Sequence, residues 1–215
     1  VERAGRYELA LRFFEYGQSV RSQLEVVRSG TAAVARLGED IRVMVWLLTH
    51  RNGEVIYVCG RSGDDGVDID TILGTRTHVH YNSGGKPVLA HLPESEVRHV
   101  VDTHGLPTRT SNTITDPERL LADLDRVRAQ GYALDLSEDL DGTHAVGVPL
   151  TVDSEVQGAL GVAGPAHPMP KERCEGDVLG RLRAATDGID PPLAYDQVWG
   201  DTLDELRRAA PDAAS

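Results

Sequence analysis

Lysine is nearly absent from this chain of 215 residues: Lys86 and Lys171 are the only two among 22 basic residues, while Asp and Glu total 34. The resulting formal charge of -12 opposes nucleic-acid binding by this chain, because affinity for a phosphate backbone depends on cations that displace condensed counterions. Arginine in place of lysine, combined with an excess of acid, points to a salt-loaded cytoplasm in which screening makes a dense carboxylate surface tolerable, so a halophilic source is expected. Cysteine is equally scarce. Cys59 and Cys174 are too few for a disulfide framework or a thiolate zinc site and fit a reducing compartment, which makes redox chemistry improbable. No apolar run approaches bilayer length, and Val1 to Gly17 carries scattered charges where a signal peptide needs an unbroken apolar segment. A cytoplasmic protein with no membrane partner is the expectation.

What is present is apolar material for one well-buried core, at 40% hydrophobic residues. The chain starts without methionine inside the strand-like VERAGRYELAL, which reads as a fragment. From Leu9 the apolar positions Phe13, Tyr16, Val20, Leu24, Val27, Val34 and Leu37 recur in threes and fours, predicting a long amphipathic helix that closes near Gly38, with Gly17 and Gly30 as points of bending. Residues 41–50 and 54–60 are β-branched and apolar and are joined by Arg51-Asn52-Gly53, a strong hairpin signal. A further strand is predicted over Val67 to Ile72. Short helices follow over Ser83 to Leu92 and Pro93 to Thr103, and a third opens at Thr115-Asp116-Pro117-Glu118 with Thr115 and Glu118 as a capping box, closing at Gly131. Strands are predicted at 132–136, 145–152 and 155–164, then a helix from Pro170 to Asp187. Hairpins surrounding a block of helices predict an α+β fold, an antiparallel sheet packed with helices and preceded by a linker helix. The expected units are residues 1–8, a linker helix over 9–38, a main domain over 39–190 and an acidic tail or extra helix over 191–215.

The stretch HVHYNSGGKPVLAHL, residues 78–92, concentrates chemistry. His78 and His80 at strand spacing put both imidazoles on one side, as metal-binding pairs do, but no third ligand stands at a spacing that singles it out; hydrogen-bonded pocket or core histidines are the plainer reading. Ser83-Gly84-Gly85-Lys86 lacks the opening glycine and the hydroxyl residue of a nucleotide loop, yet small residues before a helix leave amides that favour an anion. A tight turn packing a helix on a sheet explains it equally well. Asp135 ends a strand beside an acidic cluster, either on a solvated rim or pointing into a pocket mouth. No Gly-Xaa-Ser-Xaa-Gly elbow is present, and nothing supports an enzyme.

Together, RYELALRFFEYG, the Gly-Lys helix, LPESEV, TITDPERLLADLDRVRAQGYALD and ALGVAGP resemble the effector-binding half of IclR-type transcriptional regulators, from about Arg6 to Asp187. The resemblance implies a GAF-like sensor of a small organic effector, a carboxylate or an aromatic acid, assembled as dimers or tetramers. It also implies that residues 1–8 are the remnant of the wing of a winged helix-turn-helix domain, otherwise absent, through which DNA would be bound. The family pocket maps onto Ser83 and Gly84 as backbone donors, Asp135 at the strand end, Ala145 where a cysteine is usual, and Gly161 and Ala163 where two serines are usual. His78 replaces a proline, His80 agrees with the family, and with Tyr81 and Asn82 the mouth gains bulk. A stripped polar floor implies an effector larger or less polar on the Gly161 and Ala163 side. No cofactor is expected. A metal-dependent enzyme built on His78 and His80, and an assembly module with no ligand, are the alternatives.

Overall fold

The structure, a computed structural model, describes residues 2–3, 6–7, 10–51, 53–64, 72–152 and 155–187. A two-stranded pair, β1 (Glu2–Arg3) and β2 (Arg6–Tyr7), precedes helices α1 (Leu11–Gln23) and α2 (Glu25–Ile41). The long helix expected over 9–38 is therefore two helices. It breaks at neither glycine but at Leu24, whose extended backbone (φ -68°, ψ 111°) interrupts the hydrogen-bond ladder. Gly30 stays helical because α2 lies close on the sheet: a Cβ there would stand 2.6 Å from Leu47 Cδ2.

One antiparallel sheet of six strands organises the remainder: β3 (Met44–Arg51), β4 (Glu54–Arg61), β5 (Arg76–His78), β6 (Ala133–Leu136), β7 (Thr143–Val152) and β8 (Glu155–Pro165), in the spatial order β5-β4-β3-β8-β7-β6. The β3–β4 hairpin pairs Arg51 with Glu54 across a turn in which Gly53 takes φ 77°, a conformation glycine adopts without a Cβ clash. The strand expected over Val67 to Ile72 lies outside the described residues except for Ile72, which sits in a turn; the edge strand is β5.

Strand alternation gives the sheet two unlike faces. On one, Val45, Leu47, Val146, Val148, Leu160 and Val162 meet α2 and the C-terminal helix in a dense aliphatic core. On the other, the middle of β7 and β8 presents the small residues Ala145, Gly147, Ala159, Gly161 and Ala163, and helices α3 (Gly85–His91), α4 (Glu94–His104) and α5 (Pro117–Gln130) pack on this face with Trp46 and Leu48. Small residues on that face leave room for an indole and for a cavity beside it.

Two local expectations need correction. The cap of α5 is Asp116, whose carboxylate accepts from Arg119 N at 2.8 Å; Pro117 at the first helical position fixes the backbone so that Thr115 lies one residue too early. The helix expected from Pro170 to Asp187 runs as α6 (Lys171–Arg173), a π turn (Cys174–Val178) and α7 (Leu179–Thr186). The π turn absorbs one extra residue while keeping Cys174, Val178 and Leu182 on the core side. The segment 191–215 lies outside the described residues.

Candidate functional site

Strand register assembles the site. Asp135 of β6 pairs with Ala145 of β7, Ala145 with Ala163 of β8, and Gly161 with both Gly147 and Trp46. The Trp46 indole fills the space that side chains at the glycines would occupy: a Cβ at Gly161 would stand 2.1 Å from Cζ2, and one at Gly84 2.8 Å from Cη2. Next to the indole opens a cavity of about 560 Å³, within the usual range for small-molecule sites. Met44, Trp46, Tyr57, Ile72, Leu140 and Pro165 form its apolar wall. Trp46 and Tyr57 meet edge to face, with ring centroids 6.1 Å apart. Its polar lining comprises Asn82, Ser83 and Asp135, all buried, and the half-exposed arginines Arg76 and Arg109.

Asp135 Oδ1 accepts from Glu138 N at 2.6 Å and from Asp139 N at 3.4 Å. Burial nevertheless pushes its carboxyl up to about 7, and the neighbouring Glu138 and Asp139 push the same way. Ser83 is buried, and its hydroxyl has no hydrogen-bond partner among the described residues. Burial, then Asp139 and Asp135, raise the Tyr57 phenol, so it stays a neutral donor. Arg109 Nε pairs with Asp139 at 3.1 Å and its guanidinium lies 5.9 Å from the Tyr81 ring centre, while Arg76 pairs with Glu54 at 2.9 Å. The loop carrying Arg109 is tied down through Thr110, whose hydroxyl donates to Ser137 O at 2.6 Å.

Lys86 takes no part in the cavity lining. Its side chain is 2% exposed, and its ammonium pairs with Asp123 of α5 at 3.2 Å and with Glu138. Two of the helix-start amides, those of Gly84 and Gly85, are also occupied. Asn82 Oδ1 accepts from Gly84 N at 3.0 Å and from Gly85 N at 2.6 Å, while Asn82 Nδ2 donates to His78 O at 2.7 Å. The amide of Gly84, expected to receive a ligand, is thus consumed by the chain itself.

Of the residues singled out from the sequence, Asn82, Ser83, Asp135, Ala145 and Ala163 line the cavity. Gly84 and Gly161 lie behind it, pressed against Leu48 and Trp46. His78 and His80 border a separate small crevice under α4 with Val100 and His104; their rings are 6.0 Å apart. Burial lowers His80 to about 4, and its Nε2 lies 3.2 Å from Pro107 O, so the ring is a neutral donor that ties down the 105–116 loop. Among the described residues no group of three or more His, Cys, Asp or Glu is placed to hold a metal ion. Trp46, Tyr57, Arg76 and Arg109 were not anticipated. The alternation of small residues in β7 and β8 was the one signal in the sequence that a bulky group must lie across them.

A sequence model of the family described as "Bacterial transcriptional regulator IclR C-terminal" matches residues 18–191, and the chain belongs to that family. The HTH-type transcriptional regulator KipR of Bacillus subtilis is 30% identical over 162 residues, 75% of this chain and 65% of KipR, so the chain spans slightly less than two thirds of that relative. The crystal structure of the Thermotoga maritima IclR superposes with a TM-score of 0.78 at 24% identity, covering 87% of this chain and 76% of that one. An IclR homologue from Microbacterium hydrocarbonoxydans, solved in complex with 4-hydroxybenzoate, gives 0.72 at 25% identity over 85% of this chain and 74% of its own.

Proposed function

We propose that the chain is the effector-sensing and oligomerising domain of an IclR-type transcriptional regulator and is not an enzyme. The effector is a small organic metabolite, a carboxylate or an aromatic compound, held in the cavity between β6, β7, β3 and the start of α3. The observation that carries this reading is the cavity of about 560 Å³ with an apolar wall at Trp46 and Tyr57 and a buried polar end at Asp135 and Ser83. Such a division positions a ligand by its polar groups while the wall supplies most of the burial. That a structural relative holds 4-hydroxybenzoate supports the ligand class.

The domain would act by population shift, the effector binding one arrangement of subunits more tightly than another and so changing how winged helix-turn-helix heads are presented to DNA. DNA contact belongs to those heads; residues 1–8 would be the edge of the wing and 9–38 the linker. Homodimers or tetramers are the assembly expected, and α1 supports this with Leu11, Phe13, Phe14 and Tyr16, each at least 59% exposed. The location is the cytoplasm; among the described residues no helix is long and apolar enough to cross a membrane. A halophilic source remains the reading of the charge balance, and melting measured with and without molar salt tests it: equal stability in both would refute it.

Thermal-shift screening of aromatic and aliphatic organic acids tests the sensor reading. At least one compound is expected to raise the melting temperature in wild type and lose that effect in a Tyr57→Ala variant. Failure of every compound to stabilise the chain would refute it.

A further inference from the structure

A second hollow, of about 700 Å³, lies between the β3–β4 hairpin and α4 and shares only Arg76 with the lining of the cavity described above. One wall is written in the sequence of α4: Glu96, His99, Val100 and Thr103 recur in threes and fours and so occupy one face of the helix. The other wall is His50, near the end of β3, and Glu54, at the start of β4. Between them the hairpin turn closes on α4, where a Cβ at Gly53 would stand 2.9 Å from Val100 Cγ2.

Two groups in this lining lack a counterpart. The His50 ring makes no hydrogen bond to any described residue, and its Nδ1 is buried. Buried polar atoms are almost always bonded, so an orphan at the edge of a hollow marks a place for a partner. Burial lowers this imidazole from its ordinary value against the pull of the Glu96 carboxylate, so the ring is neutral at neutral pH and keeps one nitrogen able to accept. Charge is the second mismatch. Arg76 is answered by Glu54 at 2.9 Å, whereas the exposed Glu96 has no ion-pair partner among the described residues.

The chemistry that satisfies both groups is narrow. A metal ion does not, because among the described residues no group of three or more His, Cys, Asp or Glu is placed to hold one. An anion would meet the charge of Glu96, and Arg76 is already paired. An alkylammonium group carries three N–H donors, enough for a carboxylate and a ring nitrogen together, while its chain covers Leu92 and Val100.

We propose that the hollow between the β3–β4 hairpin and α4 is a second ligand site, separate from the sensor cavity, and that it takes a primary alkylamine whose ammonium donates to the Glu96 carboxylate and to the His50 ring. Glu96 is then the residue that selects cations, and His50 the one that orients the ammonium beneath α4.

NMR of the histidine ring nitrogens in the whole chain, titrated at neutral pH with butylamine and with butanol as its uncharged isostere, reads the site directly. Butylamine is expected to shift the His50 signal saturably, with butanol at least about fivefold weaker. The His50→Gln variant identifies that signal by its loss. Glu96→Gln should weaken butylamine by about fivefold or more and butanol by less than about twofold. Glu94→Gln, on the same helix but outside the hollow, should change butylamine by less than about twofold. A drop there equal to that of Glu96→Gln would mean diffuse attraction to an acidic surface and overturns the site. No saturable shift at His50, or an unchanged affinity in Glu96→Gln, also overturns it. Each of these outcomes leaves the sensor cavity to its own test, the organic-acid screen.

Discussion

Replacing Asp135 with asparagine isolates the free energy stored in one buried carboxyl. In the folded chain this group is pushed up to about 7 from an ordinary 3.8, chiefly by burial, with Glu138 and Asp139 adding to it; the bond from Glu138 N opposes the rise. A carboxyl raised on folding holds its proton at pH values where the unfolded chain has already released it. Wild type is therefore most stable relative to its unfolded state below about pH 4, and loses that contribution as pH rises toward 7. Each tenfold difference in proton affinity corresponds to about 1.4 kcal/mol, so the loss reaches about 4 kcal/mol at most. At 4% exposure solvent screens little of it. Asparagine keeps an oxygen to accept from Glu138 N and has no charge to bury. Urea unfolding at about pH 5 and pH 8 should show the variant gaining about 2 to 4 kcal/mol on wild type between the two conditions. Titrating groups far from Asp135 contribute equally to both proteins and cancel, and the coupling to Glu138 and Asp139 is part of the difference read. Parallel stability profiles across that range would refute the claim that Asp135 is buried at a cost.

Lys86→Met should destabilise the domain by about 3 to 5 kcal/mol, because Asp123 and Glu138, each 12% exposed, lose the cation between them; a denaturation midpoint near wild type would count against a buried ion triad. Gly161→Ser should cost about 1 to 3 kcal/mol by overpacking against Trp46, with Trp46→Leu in the same chain recovering part of it; additive losses in the double variant would contradict direct contact. Asp116→Ala should lower stability by about 1 kcal/mol through the lost α5 cap, whereas Thr115→Ala should change it by less, which thermal melts of the two variants compare.

Turns and periodicities were written locally. Arg51-Asn52-Gly53 marked the β3–β4 hairpin, Gly131 closed α5 with φ 77°, and the apolar runs at 145–152 and 155–164 marked β7 and β8, because each depends on backbone preferences within a few residues. The order of those elements, and the stretch from Thr113 to Asp135, carried the family. Strand phase and the small residues before a helix left the places of Asp135 and Ser83 open; the family resemblance assigned both to a pocket, and both line the cavity. The sequence did not show that a side chain two positions from Gly84 would take the helix amides for itself, or that Lys86 would find its partners 37 and 52 residues away. Nor did it show that His78 and His80 would turn under α4 while Trp46, from a distant strand, filled the space over Gly161. Which face a residue occupies follows from its neighbours in the chain, but what it meets there depends on how sheet and helices close on one another, and that is settled only when the whole core packs.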